Sequence, residues 1–357
     1  MRGQRPHQSS MLCLVSPESR VPKDHPLRIL KKLADEALRG LGRTFNRMYA
    51  KTGRPSVPPE RLLKALLLQA LYSIRSERQL CEQLEYNLLY RWFLDMDMLE
   101  PAFDASTFSR NRDRLLDHEV AARFFVAIRD QGAGLMSHEH FTVDGTMLES
   151  WASLKSFRPK GDDDDDANGW GDFSGQSRSN QTHESKTDPD ARLWRKGNGR
   201  EAKLSFLGHA LMENRHGLLV DLRVSQASGF AERRVALDLL REHATGGRAT
   251  VGADRGYDTS DFIRSCRQLA ITPHVAQNQS RRRSAIDQRT VRHIGYRISQ
   301  TIRKRVEPIF GWLKTVGGLR RSRFRGLPRT QLAAYMTGAA YNLLRIANLR
   351  RLSDQTG

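Results

Sequence analysis

Acid is what this 357-residue chain lacks most. It carries 59 Lys and Arg against 40 Asp and Glu, a formal net charge of +19, with a pI of about 10.4. A surplus of that size calls for a polyanionic partner, because neutralised phosphates release condensed counterions. Nucleic acid is the first candidate; an anionic membrane surface would need a basic amphipathic helix, and none stands out. Cysteine is nearly missing: Cys13, Cys81 and Cys266 are scattered. With no CxxC spacing they exclude a disulfide framework and a zinc knuckle, and fit incidental thiols in a reducing cytoplasm. Long apolar runs are missing too. The longest, LLKALLLQALYSI, contains Lys64 and is too short to span a bilayer. MRGQRPHQSS has no apolar signal core. These features predict a cytoplasmic, nucleoid-associated protein with no membrane partner. There is no Walker loop, GxSxG elbow, HExxH or GxGxxG, so nucleotide hydrolysis, acyl transfer and zinc chemistry lack support.

What is present falls into two textures. The N-terminal part reads as helical: a pattern from about Leu27 to Tyr49, a GRPSVPP linker, then a helix opened by prolines whose apolar face is Leu63, Leu66, Leu67, Ala70, Leu71 and Ile74. Ser76 with Gln79 fits a capping box, and Asp104 can cap the following ASTFSRNRDRLL. Short helices with tight connections, the last carrying Arg110 and Arg112, suggest a helix-turn-helix-like DNA-binding unit over 1–135. A plain helical domain with a solvated polar face is the bland alternative.

From His138 the texture becomes α/β. HEHFTVDG predicts a strand running into a turn at Asp144-Gly145. A polar stretch at about 155–203, holding five consecutive aspartates at 162–166, reads as a solvated insertion. Two strands joined at Arg215-His216-Gly217 follow, then a helix over Ala231–His243, a buried strand ending at Asp254, a helix from about Ser260, and the strand ITPHVAQ. Helices over about Ser299–Val316 and Arg329–Leu349 close the pattern, with 351–357 as a tail. This is a mixed α/β domain over 136–350 after a helical one.

Asp144 and Asp254 sit where a strand gives way to a Gly-containing loop, the place where ligands collect in open α/β sheets. Alone, each is a turn signal. Glu307 is different: between Arg281 and Arg329 there are fifteen Lys or Arg and only two acids, Asp287 and Glu307. On one helix, Arg303, Glu307 and Lys314 fall within roughly 40° of each other at about 100° per residue, beside an apolar stripe of Ile302, Val306, Ile309 and Leu313. The alternative for Glu307 is a simple i,i+4 pair with Arg303. Pro308 should kink that helix or start a new one. Carboxylates without His or Cys suit a hard cation such as magnesium, and two such ions serve phosphoryl transfer.

VDGT at Asp144, GADRGYDT at Asp254 and R-x3-E-x6-K at Arg303, Glu307 and Lys314 resemble the DDE transposases, most closely those of the bacterial insertion sequence five family. GRPSVPPERLLKALLLQALYSIRSERQL, WASLKSFRPK, TDPDARLWRKG, GHALMENRHGL, TPHVAQN and AAYNLLRI extend the resemblance over nearly the whole chain. It implies a ribonuclease H-like mixed-sheet catalytic domain preceded by an all-helical domain that binds terminal inverted repeats. It further implies Mg²⁺-dependent cleavage (two ions, Mn²⁺ substituting) at element ends, joining of the 3′-hydroxyls to target DNA, and a homodimer or larger assembly on double-stranded DNA. Asp144, Asp254 and Glu307 would be the metal-binding catalytic triad; Arg303, Lys314 and Arg305 would bind DNA. The family motif has Tyr three residues before the Arg, where this chain has Gln300. A repurposed DNA-binding protein, or a nuclease that does not join, are the competing expectations.

Overall fold

The computed structural model describes residues 16–50, 52–53, 56–117, 119–161, 178–197, 199–244, 247–279 and 283–356. The aspartates 162–166 lie outside the described residues. The chain forms two compact units: Met1–Leu135 with Thr315–Gly318 and Tyr335–Gly357, and Met136–Lys314 with Leu319–Ala334.

The first unit contains α1 (Pro17–Arg20), α2 (Leu27–Gly40), α3 (Gly42–Met48), α4 (Pro59–Leu71), α5 (Glu77–Tyr86), α6 (Leu88–Phe93), α7 (Ala105–Asp117) and α8 (Val120–Gln131). Proline opens α4 as expected, but the helix is buried on every side from Pro59 to Ala70 rather than on one face. Burial extends to Lys64, whose ammonium is neutralised by Asp35 at 2.8 Å and Asp95 at 2.6 Å. A buried cation survives only when paired in this way. The caps behave as the sequence implies. Ser76 accepts from the Gln79 amide at 3.0 Å, and Asp104 accepts from the Ser106 amide at 2.8 Å. The return arm of the box is displaced by one residue, the Gln79 side chain accepting from the Arg75 amide at 3.2 Å.

The second unit contains β1 (His140–Glu149), β2 (Phe157–Pro159), β3 (His183–Ser185), β4 (Arg192–Trp194), β5 (Lys203–Glu213), β6 (Leu219–Gln226), α9 (Ala231–His243), β7 (Thr250–Ala253), α10 (Ser260–Gln268), β8 (Thr272–Val275), α11 (Gln288–Arg292), α12 (Ile294–Ile302), nearly all of α13 (Val306–Thr315) and the start of α14 (Leu327–Thr356). Six strands make one sheet ordered β4-β5-β1-β7-β8, with β6 also on β5. The β5 pairings are antiparallel, whereas β1–β7 and β7–β8 are parallel. The β5–β6 hairpin turns at Gly217, whose φ of +72° suits glycine. Phe141, Val143, Phe206, Leu211, Val251, Ala253 and Val275 are buried along the sheet. The 155–203 stretch is structured in part: β2 pairs β3, and β4 extends the main sheet.

Two expectations are corrected. Asp144-Gly145 is not a turn; β1 continues through it to Glu149, paired all the way with β5. The single helix at about 299–316 is three pieces: α12, a 3-10 turn at Arg303–Arg305, and α13. Pro308 explains the break. In the first turn of α13 its missing N–H costs nothing, whereas inside one long helix it would remove a bond. The chain also departs from the expected tail. Helix α14 continues to Thr356, and its part from Tyr335 belongs to the first unit, where Tyr335 meets Phe125 at 5.6 Å between ring centres.

Candidate active site

Strands β1 and β7 bring Asp144 and Asp254 side by side. Thr142 pairs with Gly252 in parallel register, and each aspartate lies two residues further along its strand direction. Both carboxylates are braced by backbone: Gly145 N–H donates to Asp144 Oδ1 at 2.8 Å, and Gly256 N–H donates to Asp254 Oδ1 at 2.8 Å.

A third carboxylate, one sequence reasoning missed, belongs to this pair. Glu232 stands in the first turn of α9, and its side chain lies directly on Gly145. A Cβ built there would be 2.8 Å from Glu232 Oε1 and 2.9 Å from its Cγ, so glycine at 145 is what lets the carboxylate in. Glu232 is partly buried. The signal for it in the sequence was weak, because acids are common in first helical turns for dipole reasons alone.

The electrostatics follow from this crowding. Burial first, then the negative charges of Asp254 and Glu232, push the Asp144 carboxyl up to about 7, against the pull of the Gly145 amide and Arg303. Burial and Asp254 likewise raise Glu232, with Arg233 opposing. Tyr257 is buried beneath, its hydroxyl held well above its ordinary range by burial and by all three acids.

Arg303 is the cation of this site. Its Cβ packs over Gly252, where an added Cβ would meet it at 3.3 Å. Its Nε donates to Gln300 Oε1 at 2.9 Å, and Gln300 Nε2 donates to the His274 carbonyl at 2.5 Å. Gln300, the departure from the family motif, therefore ties Arg303 to β8. Tyr296, one turn earlier, donates its hydroxyl to the Val275 carbonyl at 3.0 Å.

The remaining candidates lie in different surroundings. Glu307 is exposed, and among the described residues no ion pair joins it to Arg303, so the simple-pair alternative has no support in the geometry. Nor do oxygens of Asp144, Asp254 and Glu307 all come within 4.8 Å of one another. Val306, Ile309 and Leu313 of α13 are buried as the stripe required. Arg305 donates to the Asn214 carbonyl at 3.3 Å. Lys314 sits by Lys196, Arg320 and Glu149; burial and then the two cations lower its pKa, with Glu149 opposing. In the first unit Arg110 is exposed. Arg112 departs from expectation: it is buried and ion-paired to Glu77 of α5, a charge committed to packing α7 on α5. His209 and His274 are buried, bonded to Ser225 at 2.8 Å and Ser299 at 2.7 Å.

The donor set at Asp144, Asp254 and Glu232 fits a hard divalent cation. It is oxygen-only, its negative charges raise one another, and Arg303 at Asp144 and Arg233 at Glu232 only partly offset them. Among the described residues, the one group whose ligand atoms all lie within 4.8 Å is elsewhere, at Asp221, Glu242 and His243. Arg223 already bridges two of its acids.

Residues 177–343 match the family model described as "Transposase DDE domain", and residues 15–114 match "Transposase domain (DUF772)". Both matches are to transposase domains, and they support a DDE transposase. The first spans Glu232, Asp254, Arg303, Glu307 and Lys314 but begins after Asp144. No curated protein matches the chain. Among solved structures, the piggyBac transposase synaptic complex with hairpin DNA is similar at 11% identity, covering 92% of this chain and 76% of that one, with a TM-score of 0.44. The Mos1 transposase paired-end complex with left transposon end is similar at 10% identity, covering 66% of each chain, with a TM-score of 0.19. Among the described residues no helix is long and apolar enough to cross a membrane.

Proposed function

We propose that this chain is a DNA transposase of the insertion sequence five type, cutting phosphodiesters at element ends and joining the freed 3′-hydroxyls to target DNA. The observation that carries the reading is the adjacency of Asp144 and Asp254 on β1 and β7, the latter within a stretch that matches a DDE transposase domain. The sheet order, with antiparallel β6-β5-β1 continued by parallel β7 and β8, supports a ribonuclease H-like catalytic domain in the second unit. The helical first unit would bind the terminal inverted repeats, with Arg110 among its contacts, and the protein would act as a dimer or larger assembly on DNA.

In this reading Asp144, Asp254 and Glu307 would hold divalent cations, Mg²⁺ with Mn²⁺ as substitute, and Glu232 would add a further carboxylate beside the aspartates. Bound there, the ions would activate the attacking hydroxyl and stabilise the leaving oxygen. The protein's part is placement and charge. Gly145 and Gly256 amides fix one oxygen of each aspartate. Arg303, steered by Gln300, and Arg305 and Lys314 hold backbone phosphates, as guanidinium and ammonium groups do in such sites. Water attacks the phosphorus at the element end, breaking the P–O3′ bond, and the 3′ oxygen leaves as a hydroxyl. That hydroxyl then attacks a target phosphodiester and displaces a new 3′-hydroxyl.

Nicking and strand-transfer assays on duplexes carrying the inverted repeats that flank the gene test this. The proposal expects both activities with Mg²⁺. Nicking without transfer of pre-cut ends would make the chain a nuclease, and tight binding without nicking in Mg²⁺ or Mn²⁺ would make it a DNA-binding protein alone.

A further inference from the structure

Trp151 is more than half exposed, at 54%. The exposed indole offers an open, flat π-face with a polar N–H edge. It is also held still. Arg321 lies over its ring, 5.2 Å from guanidinium carbon to centroid, donates from Nη2 to the Trp151 carbonyl at 2.9 Å and from Nε to the Ser150 carbonyl at 3.2 Å. The segment beneath is stitched to the end of β1: the Glu149 amide donates to the Arg320 carbonyl at 3.0 Å, and the Ser322 amide to the Glu149 carbonyl at 2.7 Å.

The surroundings are cationic. Lys196 and Arg320 stand close enough to Lys314 that their repulsion adds to burial in lowering the Lys314 pKa. Lys203 adds a further ammonium, on Glu149 at 2.9 Å. The five cations, Arg321 included, stand against two acids, Glu149 and, beside Lys203, Glu201, a surplus of positive charge that an anion would offset. An exposed indole braced by a guanidinium beside a cluster of cations suits unpaired bases. Every base offers a π-face to stack, while the cations track the backbone.

We propose that Trp151, braced by Arg321, is a stacking platform for an unpaired nucleotide next to the Lys196–Lys314–Arg320 phosphate site. The inference rests on the DNA-processing reading above, and it adds to that reading a specific contact for single-stranded or frayed DNA. Duplex ends that are being cut and joined expose such nucleotides, whereas intact duplex keeps its bases stacked and offers this indole nothing.

The test uses the full-length protein without metal and two probes: a 12-nucleotide single strand carrying 2-aminopurine, and a fully paired duplex of the same sequence. Wild type is expected to bind both and to quench the 2-aminopurine of the single strand. Trp151→Ala should weaken single-strand binding about tenfold, the worth of one stacked base, and abolish the quench, with duplex affinity within twofold. Trp151→Phe should keep most of both. Lys314→Ala should weaken both probes alike. Equal single-strand affinity and quench in wild type and Trp151→Ala overturns the platform and leaves the transposase reading standing. Failure of wild type to bind either probe overturns the DNA-processing reading itself. A Trp151→Ala variant that binds both probes as wild type does but sediments as a smaller assembly makes the indole a contact between copies of the chain, and also overturns the platform.

Discussion

Gln300 holds Arg303: the amide oxygen accepts from the guanidinium Nε at 2.9 Å while the amide nitrogen is anchored on the His274 carbonyl. The bond explains how a chain without the family's tyrosine at this position can still aim its arginine. Gln300→Ala is expected to lower the DNA cleavage rate by about tenfold, the cost of a loosened positioning group, with affinity for duplex nearly unchanged. Single-turnover cleavage alongside a binding isotherm checks this.

Arg110 and Arg112, two residues apart on α7, should separate cleanly. Arg112→Ala strands Glu77 without its buried partner and should cost about 3 kcal/mol of stability, seen as an earlier urea midpoint. Arg110→Ala should leave that midpoint alone. It should weaken duplex binding and reduce the slope of log affinity against log salt by about one, as the loss of one phosphate contact does.

Gly145 and Glu232 form a space-sharing pair. Gly145→Ala puts a Cβ where Glu232 now rests and should drive the carboxylate out. Glu232→Gln removes its charge and leaves its shape. Both are expected to weaken Mn²⁺ binding roughly tenfold, the usual penalty for disturbing a supporting ligand, measured by electron paramagnetic resonance without DNA. Unchanged Mn²⁺ affinity in Glu232→Gln would remove Glu232 from the site.

Buried histidines should make the second unit acid-labile. Burial, then Arg234, lowers His209 to about 4; burial, then His140 and His293, lowers His274 to about 4. The unfolded chain, with histidines near 6.5, binds protons that the folded chain refuses. The stabilising effect is therefore complete above pH 6.5 and is lost as pH falls from there towards 4. Each histidine accounts for at most about 2 kcal/mol between pH 7 and 4.5. Urea midpoints across that range should fall less steeply in a His209→Gln, His274→Gln variant than in wild type.

Much of the site was legible in the sequence, for reasons that can be traced. Asp144 and Asp254 follow short apolar runs that can only be buried strands, and parallel pairing of those strands sets the two aspartates level. The α9 and β7 boundaries follow their apolar patterns, and α10 opens where Thr259 caps it. Glu232 was not legible, because what admits it is a glycine 87 positions away in the chain. The burial of Arg112 was hidden for a similar reason: a charged residue on a polar helix looks solvated until its partner on another helix is known. Pro308 did announce the break that separates Arg303 from α13, and the 3-10 turn there replaces the single helical face inferred from 100° per residue.

Cleavage by Asp254→Ala tests the account most directly. With duplex carrying the flanking inverted repeats, wild type should nick and join only when Mg²⁺ or Mn²⁺ is added. Asp254→Ala should bind the same DNA with unchanged affinity and cut it at least a thousandfold more slowly (~4 kcal/mol in the barrier). Cutting by Asp254→Ala at the wild-type rate would contradict the account.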